Sequence, residues 1–132
     1  MHKLIYACVL TRDIDRLGSF YRAIFELEPR SRGAYMEFQT EPGIFSLWSI
    51  DEFEQIVGAA AAQRLAQGSV MLEFRVDDVE AEYARLQSIG PVAPEFVMPP
   101  TTLPWGNRSI YFRDPDGNLI NFFTPVRDAN AR

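Results

Sequence analysis

Few side chains in this chain are equipped for chemistry. Its 132 residues include one histidine, His2, and one cysteine, Cys8. A thiol nucleophile needs a base to draw off its proton, and the one imidazole stands at the start of the chain, so Cys8 reads as a small buried apolar residue. With no second cysteine, it forms no disulfide within the chain. Asp114 and Asp116 look like a carboxylate pair for acid–base or metal work. They flank Pro115 and precede Gly117, however, where aspartates bond the local backbone, and they read as holding a hairpin turn. Glu73 and Arg75 stand two apart, so in a strand they share a face. Inside a pocket such a pair orients a polar ligand, with Glu73 a weak candidate for a general base and Arg113 a candidate to join them. Outside a pocket they make a solvated ion pair at a rim or between subunits. The sequence has no Gly-rich phosphate loop and no Cys/His zinc spacing.

Aromatic residues are plentiful instead: 10 Phe, 5 Tyr and 2 Trp. That much apolar surface excludes a disordered chain, and the length suits one domain. Trp48 and Trp105 read as pocket walls or as core and interface residues. The net charge of −5 argues against a phosphate-backbone binder, so no nucleic-acid partner is expected. The apolar run at 4–10 ends at Arg12 and Asp13, too short for a signal peptide or for the ~20 residues of a membrane span. A cytoplasmic protein with no membrane partner is the expectation.

The elements that must position these residues read twice along the chain. Residues 4–10 form a strand. A helix follows near Asp13, its stripe Ile14, Leu17, Tyr21, Ile24 and Phe25, stopped by Pro29. Residues 34–39 and 44–50 are strands joined at Glu41-Pro42-Gly43. A connector helix then covers about 51–67, with Ser49 and Glu52 at capping-box spacing. The second half repeats the plan: a strand at 69–76, a helix with Val79, Tyr83, Leu86 and Ile89 ended by Gly90-Pro91, and a strand near 95–98. A proline-stiffened loop at 99–106 forms a fixed wall, and 109–113 and 119–124 make a hairpin. Module one is about 1–50 and module two about 69–126, a duplicated half of about 60 residues. Strand alternation then sorts the side chains. Ala7, Val9, Leu72, Phe74, Ile120 and Phe122 face the helices; Tyr6, Cys8, Leu10, Met71, Glu73, Arg75, Leu119, Asn121 and Phe123 face the other way.

The ordered set Arg12-Asp13-Ile14-Asp15, Ser19-Phe20-Tyr21, Val76-Asp77-Asp78-Val79, Pro104-Trp105-Gly106 and Tyr111-Phe112-Arg113-Asp114-Pro115-Asp116-Gly117-Asn118-Leu119-Ile120 resembles the vicinal oxygen chelate superfamily. That superfamily includes glyoxalase I, extradiol dioxygenases and bleomycin-resistance proteins. The resemblance implies an α+β fold of two βαβββ modules, with strands curled into a trough-like sheet and helices outside, in a homodimer. Its enzymes hold one divalent metal on His, Gln and Glu side chains in the trough. The matching places here carry Tyr6, Ser46 or Leu47, Met71 and Asn121. A phenol protonated at neutral pH, a thioether and a neutral amide suit Zn, Ni, Fe or Mn poorly, so neither a metal nor any other cofactor is expected.

What remains is an aromatic trough with polar handles: Tyr6, Trp48, Met71, Glu73, Arg75, Trp105, Tyr111, Arg113, Asn121 and Phe123. Rings stack on Trp and Tyr while Asn, Glu and Arg set orientation. The leading expectation is a metal-free protein that sequesters an aromatic or amphipathic small molecule. The alternative is a lyase, isomerase or dioxygenase-like enzyme that uses carboxylates or an atypically bound metal.

Overall fold

The computed structural model describes residues 1, 5–62, 70–104 and 106–126. The fold is α+β, and the chain divides into two compact units, Met1–Gln67 and Gly68–Arg132.

In the first unit β1 (Tyr6–Thr11) leads into α1 (Ile14–Phe25). Asp13 starts this helix: its side chain accepts from Arg16 N at 3.1 Å, satisfying one of the free N–H groups of the first turn. The expected stripe is the buried one, with Leu17, Tyr21 and Ile24 at most 2% exposed. Gly18 lets the helix close on the sheet, because a Cβ there would lie 2.5 Å from Met36 Sδ. The helix ends at Glu26, in the left-handed conformation at φ 55°, so the stop precedes Pro29 and is made by the backbone at Glu26.

Three strands follow: β2 (Arg30–Arg32), which the sequence pattern did not show, β3 (Tyr35–Gln39) and β4 (Ile44–Ser49). The sheet order is β1-β4-β3-β2, with β1 parallel to β4 and the other pairs antiparallel. Under α1 the rings of Tyr21, Phe25, Phe38 and Phe45 pack together, Tyr21 and Phe45 with centroids 4.7 Å apart. Beyond β4 the expected single connector helix is two: α2 (Ile50–Val57) and α3 (Ala59–Ala62). Gly58, at φ 115°, breaks them. Ser49 caps α2, its Oγ accepting from Glu52 N at 3.4 Å, but the expected capping box is not completed: Ser49 N donates to Ala34 O, and the Glu52 carboxylate accepts from Ala34 N and Trp48 Nε1. The rest of that expected helix, 63–67, lies outside the described residues.

The second unit contains β5 (Met71–Arg75), α4 (Val79–Gln87), a 3₁₀ turn (Gly90–Val92), β6 (Glu95–Thr102), β7 (Asn107–Arg113) and β8 (Leu119–Pro125). Asp78 caps α4 as Asp13 caps α1, accepting from Ala81 N at 3.1 Å. The strand order β5-β8-β7-β6 repeats that of the first unit. Two corrections apply. Ile89 falls outside α4, and residues 99–102, expected in a loop, belong to β6. That strand carries its prolines at register shifts between Phe96 and Thr101, as a residue without an N–H requires. Ile110, Phe112, Ile120 and Leu86 form the fully buried centre.

The β7–β8 turn is held by a buried carboxylate. Asp114 Oδ1 accepts from Asp116 N (3.0 Å) and Asn118 N (2.8 Å), and Oδ2 accepts from Asn118 Nδ2 (2.8 Å). Asn118 Oδ1 in turn accepts from Val70 N, tying the turn to the start of β5. Asp114 therefore serves hairpin geometry, as its setting in the sequence predicts. Among the described residues no helix is long and apolar enough to cross a membrane.

Candidate functional site

In the first unit, the candidate site lies on the face of the sheet turned away from α1. Its rows follow from register: Cys8 pairs with Ser46 and Ser46 with Glu37, while Leu10 pairs with Trp48 and Trp48 with Tyr35. Because neighbours along a strand alternate sides, Phe45 and Leu47 sit in the core while Ser46 and Trp48 reach the other face. A cavity of ≈ 310 Å³ opens there, walled by Tyr6, Cys8 and Leu10 of β1, Ser46 and Trp48 of β4, and Tyr35 of β3. Phe53 of α2 completes it, so the helix expected to be a connector contributes a wall.

Trp48 is fixed on three sides. Its ring meets Phe53 at 5.2 Å and Tyr35 at 6.0 Å, both edge-on. Its Nε1 donates to Glu52 Oε1 at 3.0 Å. The other oxygen of that carboxylate accepts from Ala34 N at 3.0 Å. Gly33, at φ 58°, permits the approach, because a Cβ there would meet Glu52 Oε2 at 2.9 Å. The bond from Ala34, and after it the bond from Trp48, holds the Glu52 pKa below its usual range.

The polar groups of the cavity are few. Tyr35 Oη donates to Glu37 Oε2 at 2.9 Å. Ser46 is 1% exposed and its Oγ has no hydrogen-bond partner. It lies near enough to the Cys8 thiol and the Tyr35 phenol to ease ionisation of either, yet is aligned with neither. Desolvation outweighs that help and pushes both pKa values up, with Glu37 adding to the rise at Tyr35. Cys8 is exposed on this face, which corrects the expectation of a buried apolar residue. Ala7, expected against the helix, is exposed too, whereas Val9 is 4% exposed.

The corresponding face of the second unit is polar. Met71, Glu73 and Arg75 project from β5 and are exposed. Asn121 is 2% exposed and donates through Nδ2 to Glu73 Oε1 at 3.0 Å. Asn121 Oδ1 and Ser109 Oγ are buried without partners. Tyr111 pairs in register with Asn121, and half-buried Phe123 pairs with Arg75. Arg113 Nη1 donates to Gly117 O at 3.0 Å, so its guanidinium serves its own turn rather than Glu73 and Arg75. Trp105 lies outside the described residues.

Of the residues singled out from sequence, Tyr6 and Trp48 thus meet in the first unit's cavity, and Glu73 meets Asn121 in the second unit. Tyr35, Ser46 and Phe53 line the cavity without having been singled out for ligand binding, along with Cys8 and Leu10. The last two carried a signal, since they follow Tyr6 at the strand period of two. Phe53 carried none, because nothing local says that α2 folds against this face.

The places where the superfamily's enzymes hold a metal carry an exposed phenol at Tyr6, a buried hydroxyl at Ser46, an exposed thioether at Met71 and an amide at Asn121 that points its Nδ2 toward Glu73. Leu47, the alternative to Ser46, is in the core. This donor set does not fit Zn, Ni, Fe or Mn, which take imidazole and carboxylate ligands. Among the described residues no three His, Cys, Asp or Glu side chains cluster.

The glyoxalase-like domain family matches residues 4–126, and the chain belongs to that family, within the vicinal oxygen chelate superfamily. The chain is 29% identical over 130 residues to YraH of Bacillus subtilis, covering 92% of this chain and 97% of that protein. Its fold is similar to that of a glyoxalase/bleomycin resistance protein/dioxygenase from Nocardioides, at 24% identity and a TM-score of 0.79, over 98% of this chain and 87% of that one. It is also similar to the lactoylglutathione lyase of Agrobacterium tumefaciens, at 23% identity and a TM-score of 0.72, over 92% of each chain.

Proposed function

We propose that this member of the glyoxalase-like family is a metal-independent small-molecule-binding protein that sequesters an aromatic or amphipathic ligand. One observation carries the reading: a ≈ 310 Å³ cavity walled by Tyr6, Leu10, Tyr35, Trp48 and Phe53, with the unpartnered Ser46 hydroxyl among its lining groups. Apolar walls supply affinity and a few placed polar groups supply orientation. The metal-ligand places support the same reading through the chemistry of their donors. A homodimer is part of the proposal, since each sheet has open edges that a second subunit can cover.

The test uses W105F protein, in which Trp48 is the sole tryptophan. After treatment with a chelator, it is titrated with aromatic antibiotics and small 2-oxo compounds while Trp48 emission is followed. Saturable quenching is expected without metal. Binding that appears only with added Ni, Zn, Mn or Fe overturns the reading.

A second reading rests on Glu73, whose carboxylate Asn121 holds at 3.0 Å as an enzyme would position a general base. Turnover of a 2-oxo compound that is lost in E73Q protein would put this reading first.

A further inference from the structure

Four of the side chains that line the first unit's cavity are aromatic: Tyr6, Tyr35, Trp48 and Phe53. The Phe53 and Tyr35 rings stand at 83° and 81° to Trp48. An aromatic face carries negative partial charge and its edge positive. Two of these rings are tied to carboxylates through their polar tips. Tyr35 Oη donates to Glu37 Oε2 at 2.9 Å, and Trp48 Nε1 donates to Glu52 Oε1 at 3.0 Å. A donor bonded to an anion is polarised by it, and the electron density pushed back into the ring makes that ring's face more negative. Desolvation, with Glu37 adding to it, pushes the Tyr35 pKa up, so the phenol keeps the proton it donates. Among the described residues no Lys, Arg or His lines the cavity. Arg30 and Arg32 share this face, in register with Glu37 and Tyr35, but they stand on the outer strand β2, exposed to solvent that screens them. The cavity therefore offers apolar walls of negative potential and no fixed positive charge of its own.

We infer that the ligand of this cavity is an organic cation, a small arene bearing a methylated ammonium group, which seats its N-methyl groups among Tyr6, Tyr35, Trp48 and Phe53. This inference rests on the binding function proposed above and names the class of ligand. A cation over an aromatic face is attracted by the ring, most strongly where water is excluded. Methylation matters because the walls are almost wholly apolar and neither Glu37 nor Glu52 lines the cavity. A primary ammonium would lose its water there and leave N–H groups unmatched, whereas N-methyl groups need no acceptor. The size follows from the volume: ≈ 310 Å³ lies at the small end of ligand pockets and suits one ring with a trimethylammonium head.

A matched set separates the alternatives: 4-(trimethylammonio)benzyl alcohol, 4-tert-butylbenzyl alcohol and 4-(hydroxymethyl)benzoate, each titrated calorimetrically into the full chain. The first two have the same shape and differ in charge. The cation is expected to bind about tenfold tighter than its tert-butyl isostere, the size of a cation–ring attraction in a partly desolvated site, with the benzoate the weakest. W48L removes one ring and keeps every charge, and is expected to bring cation and isostere within about threefold. E37Q keeps an acceptor for Tyr35 Oη but removes the anion, and is expected to narrow the preference while leaving the isostere's affinity unchanged, which keeps the inference testable if W48L does not fold. Equal binding of cation and isostere to the unsubstituted chain overturns the inference and leaves the binding function standing. Tightest binding of the benzoate overturns it too, and would assign the anchoring charge to Arg30 and Arg32. A cation preference unchanged in both variants also overturns it, since it would then come from the net charge of the whole chain. If none of the three binds, both the binding function and the inference fall.

Discussion

The two units share one plan and differ on one face. Each runs strand, helix and three strands in the same sheet order, and each starts its helix with an aspartate cap at 3.1 Å. Each fills the space under that helix with aromatic rings, Tyr21 with Phe45 in one and Phe112 with Phe122 in the other. Across the sheet the likeness ends. The first unit carries an aromatic cavity braced by α2; the second carries exposed Met71, Glu73 and Arg75, with Glu73 bonded to Asn121. The helix-facing positions obey a packing constraint common to both halves, where deleting buried volume costs several kcal/mol. On the opposite face the two halves carry side chains of different kinds. Function is therefore to be sought where the repeat fails.

The comparison breaks most readily in the cores. Tyr21→Ala and Phe112→Ala, both at fully buried rings, are each expected to destabilise by about 3–5 kcal/mol. Urea unfolding checks this, and a cost confined to one unit would end the claim of equivalent scaffolds. The turns sharpen it. Asp114→Ala removes three hydrogen bonds to a buried carboxylate and is expected to cost about 2–3 kcal/mol. Its counterpart in the first unit, Thr40, makes one bond to Gly43 O, so Thr40→Ala should cost only about 0.5–1 kcal/mol.

On the faces, Trp48→Ala is expected to weaken aromatic ligands by roughly tenfold or more, while Met71→Ala leaves affinity within about twofold. Calorimetric titration of both variants decides which face binds. The smallest effect concerns Glu52. Its charged form is favoured by bonds from Ala34 and Trp48, so its folded pKa lies below its ordinary value of 4.5. The brace is fully present above that value and is lost as pH falls through the lower, folded one. Trp48 emission in W105F protein should stay constant down to about pH 4.5 and shift to the red below it. An E52Q chain should show the shifted emission at neutral pH.

Much of the scaffold was readable without coordinates. Asp13 and Asp78, the helical stripes, the Ser49 cap and the turn at Asp114 are local signals, each complete within a few residues. The errors lie where local preference was overridden. Thr101 and Thr102 pair with β7 beyond two prolines that fall in a register shift, because an edge strand tolerates a missing N–H. Cys8 is exposed although its residue type favours burial, because β1 turns it to the open face.

The sequence by itself determined the class of fold, the aromatic core and the unsuitability of Tyr6, Met71 and Asn121 as metal ligands, since residue type and short-range period suffice for these. Only the tertiary structure decided which face carries the aromatic cavity. Parallel pairing of β1 with β4 sets Cys8 beside Ser46, and the packing of α2 brings Phe53 to the cavity and Glu52 to Trp48. Register between strands more than thirty residues apart, and the docking of a helix, are set by the burial of the whole unit, and no short stretch of sequence carries that information.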